Sequence, residues 1–428
     1  MSSAASPPVF TVIIPVRDRW ELTRDCLQSL SRHTPEYPFE VLVADNGSSD
    51  ATARECVPCG RALFGPSFAC LRWEENRNFG PACNAAARRA GAPLLFFLNN
   101  DTRLTPGWAP PLVETFAAAE TIGGSSPPGG GGIPARGVPG AAGPLLLYED
   151  DTVQHLGVAL APSGFTHLYR GFPATHPVVR AKRRLQAITA AALMVPAALF
   201  GDCGGFYEEY RNGFEDLEFC LRIRERGKAL AVVPDSVVYH LESRTPGRKS
   251  EDDHNAALLR SRCEPFFAVD LHQHGARDGF AVFVDDMLSI SLGLTPEEDS
   301  ALAAEARTPA DWRELVRAHP FWTTGKEWLA DALEREGALQ EALGLRADVA
   351  SRLQTVESHA RLSRLAAKAG DRAVHDLAEK RLTRMLRYRT DRDSARNYVR
   401  YVLAHTAGQR DAFLESLYRE KLRALHGG

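Results

Sequence analysis

Short apolar runs alternate with amphipathic stretches in the N-terminal part of the chain. The runs Phe10–Val16, Phe39–Asp45 and Leu94–Leu98 are rich in β-branched, leucine and aromatic residues, which is typical of buried strands. Between the first two runs, apolar residues recur at helical spacing at Leu22, Cys26, Leu27 and Leu30. Strands that alternate with helices indicate a mainly parallel sheet with helices on both faces, an α/β fold.

The starts of the helices are predicted from polar residues at the strand ends. Asp18 and Glu21 form an acidic version of a capping box for the first helix. Asp50 is placed to cap the second helix. A third helix is predicted to start near Pro81, a favoured first-turn residue, and to stop at Gly91.

The middle of the chain opens with a segment poor in regular structure. Gly123–Pro144 holds nine glycines and five prolines in 22 residues, which predicts a mobile surface loop. Strand patterns follow around Thr152–Leu160, Ile188–Val195 and Ala229–His240, and Gly213–Gly227 has the pattern of a helix.

From about Pro296 the pattern is helical without strand signals. We therefore predict an α/β domain over residues 1–294, including the loop at 123–144, and an all-α domain over 295–428. The pairs Glu336-Gly337 and Ala369-Gly370 lie 33 residues apart, near the period of a helical-hairpin repeat. A plain helical bundle is the alternative.

Charge and hydropathy exclude several classes of protein. The 428 residues include 51 basic and 54 acidic side chains, a net charge of −3, which argues against a nucleic-acid binder. No apolar run reaches the roughly 20 residues that cross a bilayer. The N-terminus lacks the basic start and cleavage site of a signal peptide, so a cytoplasmic protein is expected.

Carboxylates and amides follow two of the predicted strands. Asp45 ends one strand, and Asn99, Asn100 and Asp101 follow another, so these side chains are expected at one edge of the sheet. Their oxygens suit a hard divalent cation such as Mg²⁺ or Mn²⁺, and Asp45 could accept hydrogen bonds from a nucleobase or ribose. The alternative is that each aspartate bonds its own turn.

A second polar group lies in the later part of the α/β region. Glu215 and Asp216 begin a predicted helix, where they could satisfy the helix N-terminus or provide a general base. Adjacent helical residues point about 100° apart, so one of the two is expected to face a substrate. His240 ends a strand and could bind a cation or act as a structural hydrogen-bonding residue.

Seven segments in order resemble the family 2 nucleotide-sugar glycosyltransferases, and more narrowly their rhamnosyltransferase-like branch. The segments are VIIPVRDR, VLVADNGSSDAT, ENRNFGPACNAA, LLFFLNNDTRLTPGW, TVQHLGVAL, NGFEDLEFCLRIRERG and VPDSVVYHLES. The resemblance covers about Val9 to Ser243. It implies a GT-A fold, a nucleotide-diphosphate sugar donor and inversion at the anomeric carbon.

The resemblance also implies roles for individual residues. Those expected at the nucleotide are Pro15, Val16, Arg17, Asp45, Asn76, Asn78, Gly80, Asn84 and Asn100. Asn99-Asn100-Asp101 takes the place of the D-x-D motif without its first carboxylate, so Asp101 is expected to hold the metal together with His240. The "ED" pair Glu215-Asp216 is expected at the acceptor, with Asp216 favoured as base, and Gln154 and His155 on the acceptor or donor-sugar side.

The function expected is an inverting, metal-dependent transferase that uses Mg²⁺ or Mn²⁺. It would move a hexosyl, deoxyhexosyl or N-acetylhexosaminyl group from a UDP- or dTDP-sugar to a glycan, lipid-linked or protein-linked acceptor of bacterial surface polysaccharide synthesis. The basic C-terminal helices suggest contact with the inner face of the membrane or a homo-oligomer. The alternative is a non-catalytic scaffold with a vestigial transferase domain.

Overall fold

A computed structural model of the chain describes residues 6–117, 139–241, 251–263 and 266–426. The chain divides into two compact units, the first formed by residues 1–158 and 167–267 and the second by residues 159–166 and 268–428. The boundary predicted at residue 294 falls inside the second unit. In the part of the chain that the structure describes, no helix has both the length and the hydrophobicity to cross a bilayer.

A mixed sheet forms the centre of the first unit. Its strands are β1 (Phe10–Val16), β2 (Phe39–Asn46), β3 (Phe68–Trp73), β4 (Leu94–Leu98), β5 (Thr102–Leu104), β6 (Pro139–Leu147), β7 (Val153–His155), β10 (Ala192–Pro196) and β11 (Ala229–His240). A separate hairpin consists of β8 (Val158–Ala161) and β9 (Gly164–His167). The order in the sheet is β3-β2-β1-β4-β10-β6-β11-β5, with β7 paired to β6. The strands β5, β7 and β10 run against the other six, so most strands are parallel.

Helices cover both faces of this sheet. They are α1 (Trp20–Arg32), α2 (Thr52–Phe64), α3 (Phe79–Ala87), α4 (Ala109–Ala117), α5 (Ala197–Asp202), α6 (Glu215–Glu225) and α7 (Asp252–Cys263). Phe96 of β4 lies in the core cluster shared with α1, α2 and α4. Its neighbour Phe97 points to the opposite face, with its ring centre 4.9 Å from that of Phe200 in α5. The predicted α/β fold class is confirmed, and burial on both faces explains the wholly apolar runs.

The helix starts differ from the sequence prediction. Helix α1 follows Arg19, a left-handed residue without a side-chain cap, so the predicted capping box is wrong. The Asp18 carboxylate accepts instead from the backbone N–H groups of Ser49 and Asp50. The Asp50 carboxylate accepts in turn from the backbone N–H of Trp20 and from that of Thr52, the first residue of α2. The two strand-end loops are thereby bonded to each other, a pairing that local capping rules do not include.

The loop predicted for the glycine-rich segment is wrong for its last six residues. Residues 123–138 of the predicted loop lie outside the described residues. Residues 139–144 are not a loop, because they belong to β6, which is buried almost throughout between β10 and β11. A Cβ on Gly143 would lie 2.9 Å from the carbonyl oxygen of Ala192 in β10. Glycine is needed here because the two strands pack closely. Glycine content alone predicted a loop, because composition does not show such tertiary contacts.

The second unit is mainly helical. It contains α8 (Leu271–Arg277), the hairpin β12 (Ala281–Val284) and β13 (Ile290–Gly293), and then α9 (Pro296–Glu305), α10 (Pro309–Ala318), α11 (Thr323–Arg335), α12 (Leu339–Arg352), α13 (Val356–Ala369), α14 (Arg372–Thr390), α15 (Arg392–Thr406) and α16 (Ala412–His426). From α10 onward each helix packs on its neighbours in the sequence. Gly337 and Gly370 both have left-handed backbones, with φ of +81° and +74°, where α11 and α13 end. The two sequence windows therefore mark equivalent turns of two successive helical hairpins.

Candidate active site

The predicted polar residues meet at the carboxyl edge of the parallel strands. In register, Asp45 of β2 lies beside Val16 of β1, and β4 on the other side of β1 leads into Asn99. Ala192 of β10 pairs with Leu98, so the segment 189–191 that precedes β10 reaches the same edge. This is the position in which open α/β sheets bind ligands.

Asp101 and His240 form an enclosed pair at this edge. His240 ends β11, which pairs with β5 directly after Asp101. The Nε2 atom of His240 lies 3.1 Å from Oδ1 of Asp101, and the two side chains are 5% and 14% exposed. The backbone holds the pair as well, since the N–H of Leu241 donates to the carbonyl of Asp101 at 2.8 Å.

Gln154 of β7 contacts the far side of the same histidine. Its Oε1 lies 2.6 Å from His240 Nδ1, and its Nε2 donates to the carbonyl oxygen of His240 at 2.9 Å. The side chain is buried. The predicted residues Gln154, His240 and Asp101 are thus in one line of contacts.

A three-residue backbone segment joins the other candidates. The N–H of Ala190 donates to Oδ2 of Asp216 at 3.1 Å, and the N–H of Thr189 donates to Nε2 of His155 at 3.2 Å. The carbonyl of Ala191 accepts from the N–H of Asn99 at 2.8 Å. Asp216, His155 and the Asn99–Asp101 segment are therefore held by consecutive residues.

The two carboxylates at the start of α6 differ in environment. Glu215 is buried, and its Oε2 accepts from the N–H of Gly213 at 2.7 Å. Asp216 is half-buried, and its Oδ1 accepts from the N–H of Leu217 at 2.9 Å. The preceding Phe214 has a φ of 72°, a costly conformation for an aromatic residue, and such strain is often found at functional sites. Glu215 thus serves the loop, whereas Asp216 is the carboxylate placed toward the segment 189–191.

His155 is an internal neutral histidine. Burial, followed by the nearby imidazoles of His167 and His240, lowers the pKa of His155 well below its usual value. Because Thr189 donates to Nε2, the ring proton is on Nδ1, which lies 3.0 Å from Nδ1 of His167. His155 therefore donates to His167 and carries no charge near pH 7.

Asp45 is paired within the fold. Its carboxylate, 1% exposed, lies 2.5 Å from Nη1 of Arg72 on the adjacent strand β3 and accepts from the N–H of Ser48 at 2.9 Å. The turn role considered for Asp45 is present, and nucleobase binding stays a prediction. The sequence analysis missed Arg72 because it missed β3, whose register would have placed the arginine opposite Asp45.

The loop before α3 is shaped by amides. Asn76 accepts from Nδ2 of Asn46 at 2.7 Å and from the N–H of Asn78 at 3.0 Å. Asn78 has a left-handed backbone with φ of 66°, and Gly80 is buried against Phe206 and Tyr207. Asn46, which the sequence analysis did not single out, fixes this loop to the end of β2.

Two other residues predicted to contact the nucleotide bond to protein groups instead. Asn84 is buried and bonds both backbone groups of Phe206, while Asn100 donates to the hydroxyl of Thr23 in α1 at 2.9 Å. Pro15 and Val16 lie within β1, and Arg17 is exposed just beyond it. The amides of Asn84 and Asn100 therefore support the surrounding loops in this structure, and nucleotide contacts by these five residues stay predictions.

The donor set fits a divalent cation that is shared with a substrate. Among the described residues, no group of three or more histidine, cysteine, aspartate or glutamate side chains could hold a metal by itself. Asp101 and His240 offer an oxygen and a nitrogen 3.1 Å apart. Adjacent ligands of an octahedral ion with bonds of about 2.1 Å lie about 3.0 Å apart, and Mg²⁺ commonly binds one or two side chains plus substrate phosphates and water.

Known proteins resemble parts of this chain. Residues 11–140 match the family "Glycosyl transferase family 2". The O-antigen biosynthesis protein RfbC of Myxococcus xanthus is 29% identical over 244 residues, which cover 55% of this chain and 17% of the relative. This chain thus spans less than a fifth of the length of that relative.

A second relative is covered over more of its length, and a solved structure is similar in fold. N-acetylglucosaminyl-diphospho-decaprenol L-rhamnosyltransferase of Mycobacterium tuberculosis (strain CDC 1551 / Oshkosh) is 28% identical over 262 residues, which cover 58% of this chain and 79% of the relative. The crystal structure of GalNAc-T7 with UDP, GalNAc and Mn²⁺ superposes with a TM-score of 0.44 at 19% identity, over 57% of this chain and 45% of that one.

Proposed function

We propose that the protein is an inverting, metal-dependent glycosyltransferase, because residues 11–140 match glycosyltransferase family 2 and the relatives named above are similar over more than half of the chain. The donor proposed is a UDP- or dTDP-sugar. The acceptor is a hydroxyl of a glycan, lipid-linked or protein-linked molecule in bacterial surface polysaccharide or glycoconjugate synthesis. The names of the relatives, an O-antigen biosynthesis protein and a rhamnosyltransferase, support this class of acceptor.

One observation carries the proposal. The consecutive residues Thr189, Ala190 and Ala191 contact His155, Asp216 and Asn99, two residues before the Asp101 that pairs with His240. A carboxylate suited to act as a base and a carboxylate–imidazole pair suited to hold a cation therefore lie at one sheet edge. A base separated from a cation site is what a displacement at an activated sugar requires.

The protein's part in the reaction follows from these side chains. Asp216 would accept the proton of the acceptor hydroxyl as its oxygen attacks the anomeric carbon, a contribution of about 10²–10⁴ in rate. The carbon–oxygen bond to the diphosphate breaks as the new glycosidic bond forms. Single displacement with the base on the face opposite the leaving group inverts the anomeric carbon. Glu215 would keep the loop before α6 in place for this step.

Asp101 and His240 would hold the cation at the leaving group. A bound Mg²⁺ or Mn²⁺ supplies positive charge that neutralises the departing diphosphate. Asp45, Asn76, Asn78 and Gly80 would border the nucleotide, together with Pro15, Val16, Arg17, Asn84 and Asn100. His155, neutral and buried, would lie on the sugar or acceptor side.

The test compares transfer and donor hydrolysis, with UDP- and dTDP-sugars and Mn²⁺, for wild type, Asp216→Asn and Asp101→Ala. We expect Asp216→Asn to lower the rate about 10²–10⁴-fold in a protein that still folds, because the amide cannot take the proton. Asp101→Ala should lose Mn²⁺ stimulation. Asp235→Asn, an exposed aspartate on β11 that pairs with Arg180, is the matched control. Activity unchanged in both site variants would overturn the assignment.

A further inference from the structure

Gln154 is a buried side chain whose whole amide is directed at one residue. Its oxygen contacts the imidazole of His240, and its NH₂ group contacts the backbone carbonyl of the same residue. Moving a buried amide that makes two hydrogen bonds is costly, because its oxygen or its NH₂ group would then be buried without a hydrogen-bond partner. Such an arrangement fixes the ring of His240 about its side-chain torsions.

The two contacts also determine the proton position on the imidazole. The carbonyl of His240 can only accept, so the group 2.9 Å from it must be the NH₂ of Gln154. The oxygen of the amide then faces Nδ1 at 2.6 Å, and because that oxygen can only accept, Nδ1 must carry a proton. In neutral His240 the proton is therefore on Nδ1, and Nε2 carries the lone pair.

The lone pair is directed at the proposed metal position. Nε2 lies 3.1 Å from the Asp101 carboxylate and 3.4 Å from Nδ2 of Asn99, a donor group. Two acceptors, an imidazole nitrogen and a carboxylate oxygen, lie side by side, and both could bind one cation. The opposite tautomer would place an N–H at this position and would remove one of the two protein ligands.

We propose that Gln154 is a positioning residue that keeps His240 in the Nδ1–H tautomer, so that Nε2 and Asp101 together form the cation-binding pair. Gln154 touches neither the cation nor the substrate and acts only through His240. Hydrogen-bonded partners of this kind usually contribute about 10–100-fold to metal affinity. The inference rests on the proposed function for the metal, whereas the tautomer itself follows from the hydrogen bonds.

Three variants separate positioning from general stability. Gln154→Leu removes the acceptor of Nδ1–H, and Gln154→Glu keeps an acceptor there while it removes the donor to the carbonyl. Val153→Ala, one residue away in β7 and fully buried, leaves both contacts in place but creates a cavity. If Gln154→Leu does not fold, Gln154→Met replaces it, since it keeps the length of the side chain without a strong acceptor.

Two readouts are made on the metal-free full chain. Free Mn²⁺ is titrated with electron paramagnetic resonance, with and without UDP. Long-range proton–nitrogen NMR spectra of protein labelled with ¹⁵N-histidine report the tautomer, with His240 assigned from the spectrum of His240→Asn. We expect the Nδ1–H tautomer in wild type, about 10–100-fold weaker Mn²⁺ binding in Gln154→Leu, and affinity within a few-fold of wild type in Gln154→Glu and Val153→Ala.

The inference is overturned if wild-type His240 carries its proton on Nε2, or if Gln154→Leu binds Mn²⁺ as tightly as wild type. An equal loss of affinity in Val153→Ala would also contradict it, because strand damage would then be the cause. Wild-type protein that binds no Mn²⁺ even with UDP contradicts the metal role in the proposed function instead. In that event the histidine spectra of wild type and Gln154→Leu still decide whether Gln154 sets the tautomer.

Discussion

Arg72 lies opposite Asp45 on the neighbouring strand and balances a carboxylate that is almost completely buried. A charged group in this position needs a partner, because its desolvation is otherwise uncompensated. The same carboxylate bonds the N–H of Ser48 at the start of the next loop. Asp45 therefore organises the end of β2 whether or not it also contacts a nucleotide.

Arg72→Met should lower the free energy of unfolding by about 1–3 kcal/mol, because it leaves the charged acceptor without its donor. The arginine side chain is 38% exposed, so water replaces part of the lost interaction and the upper end is not expected. Arg61→Met, an exposed residue of α2, should change the stability by less than about 0.5 kcal/mol. Urea unfolding measures both, and equal stability of the two variants would contradict the structural role of the pair.

The sequence was informative about which residues lie at the sheet edge and less so about what they touch. Asp101 and His240 could be selected because each follows or ends an apolar run, whereas Gln154 was selected only through the family resemblance. Their mutual contacts join residues more than fifty positions apart and depend on strand order, which hydrophobic patterns do not encode. Asn84 shows the limit, since its segment suggested a nucleotide contact and its amide bonds Phe206.

At the scale of elements, strands formed by continuous apolar runs were predicted best. The strands β1, β4 and β11 begin and end where the apolar runs do. β3 was missed because it is an edge strand, with exposed residues that break the apolar pattern. β6 was mistaken for a loop because glycine and proline dominate its first half, although those positions lie against neighbouring strands and helices.

Gly140→Ala tests whether β6 is packed as described. An added Cβ would lie 2.5 Å from Cγ2 of Ile223 and 2.7 Å from Cβ of Lys228, so a neighbour must move. We expect a loss of about 1–3 kcal/mol in unfolding free energy, the usual cost of overpacking. Gly201→Ala in α5 is the control, because no heavy atom lies within 4 Å of its added Cβ. Thermal and urea unfolding that ranks Gly140→Ala equal to or above the control would contradict this packing.

At the scale of the whole chain, charge is divided unevenly between the ends. The last 84 residues, Leu345–Gly428, carry 18 basic and 10 acidic side chains, a net of +8. Part of this charge is balanced inside the second unit, where Arg346 of α12 lies 2.7 Å from Glu327 and Lys368 of α13 lies 2.9 Å from Glu334. The basic composition is therefore explained in part by packing between hairpins, and contact with an anionic membrane or a second copy stays a prediction.

We propose that Asp101, His240 and Asp216, all in the first unit, converge on one donor sugar-diphosphate. Crystals of the full chain grown with UDP and Mn²⁺, with data collected at the manganese absorption edge, locate the cation directly. We predict an anomalous peak bound by the carboxylate of Asp101 and Nε2 of His240, with the diphosphate as a further ligand and the Asp216 carboxylate facing the same crevice. A peak elsewhere on the protein, or UDP bound away from these side chains, would contradict it.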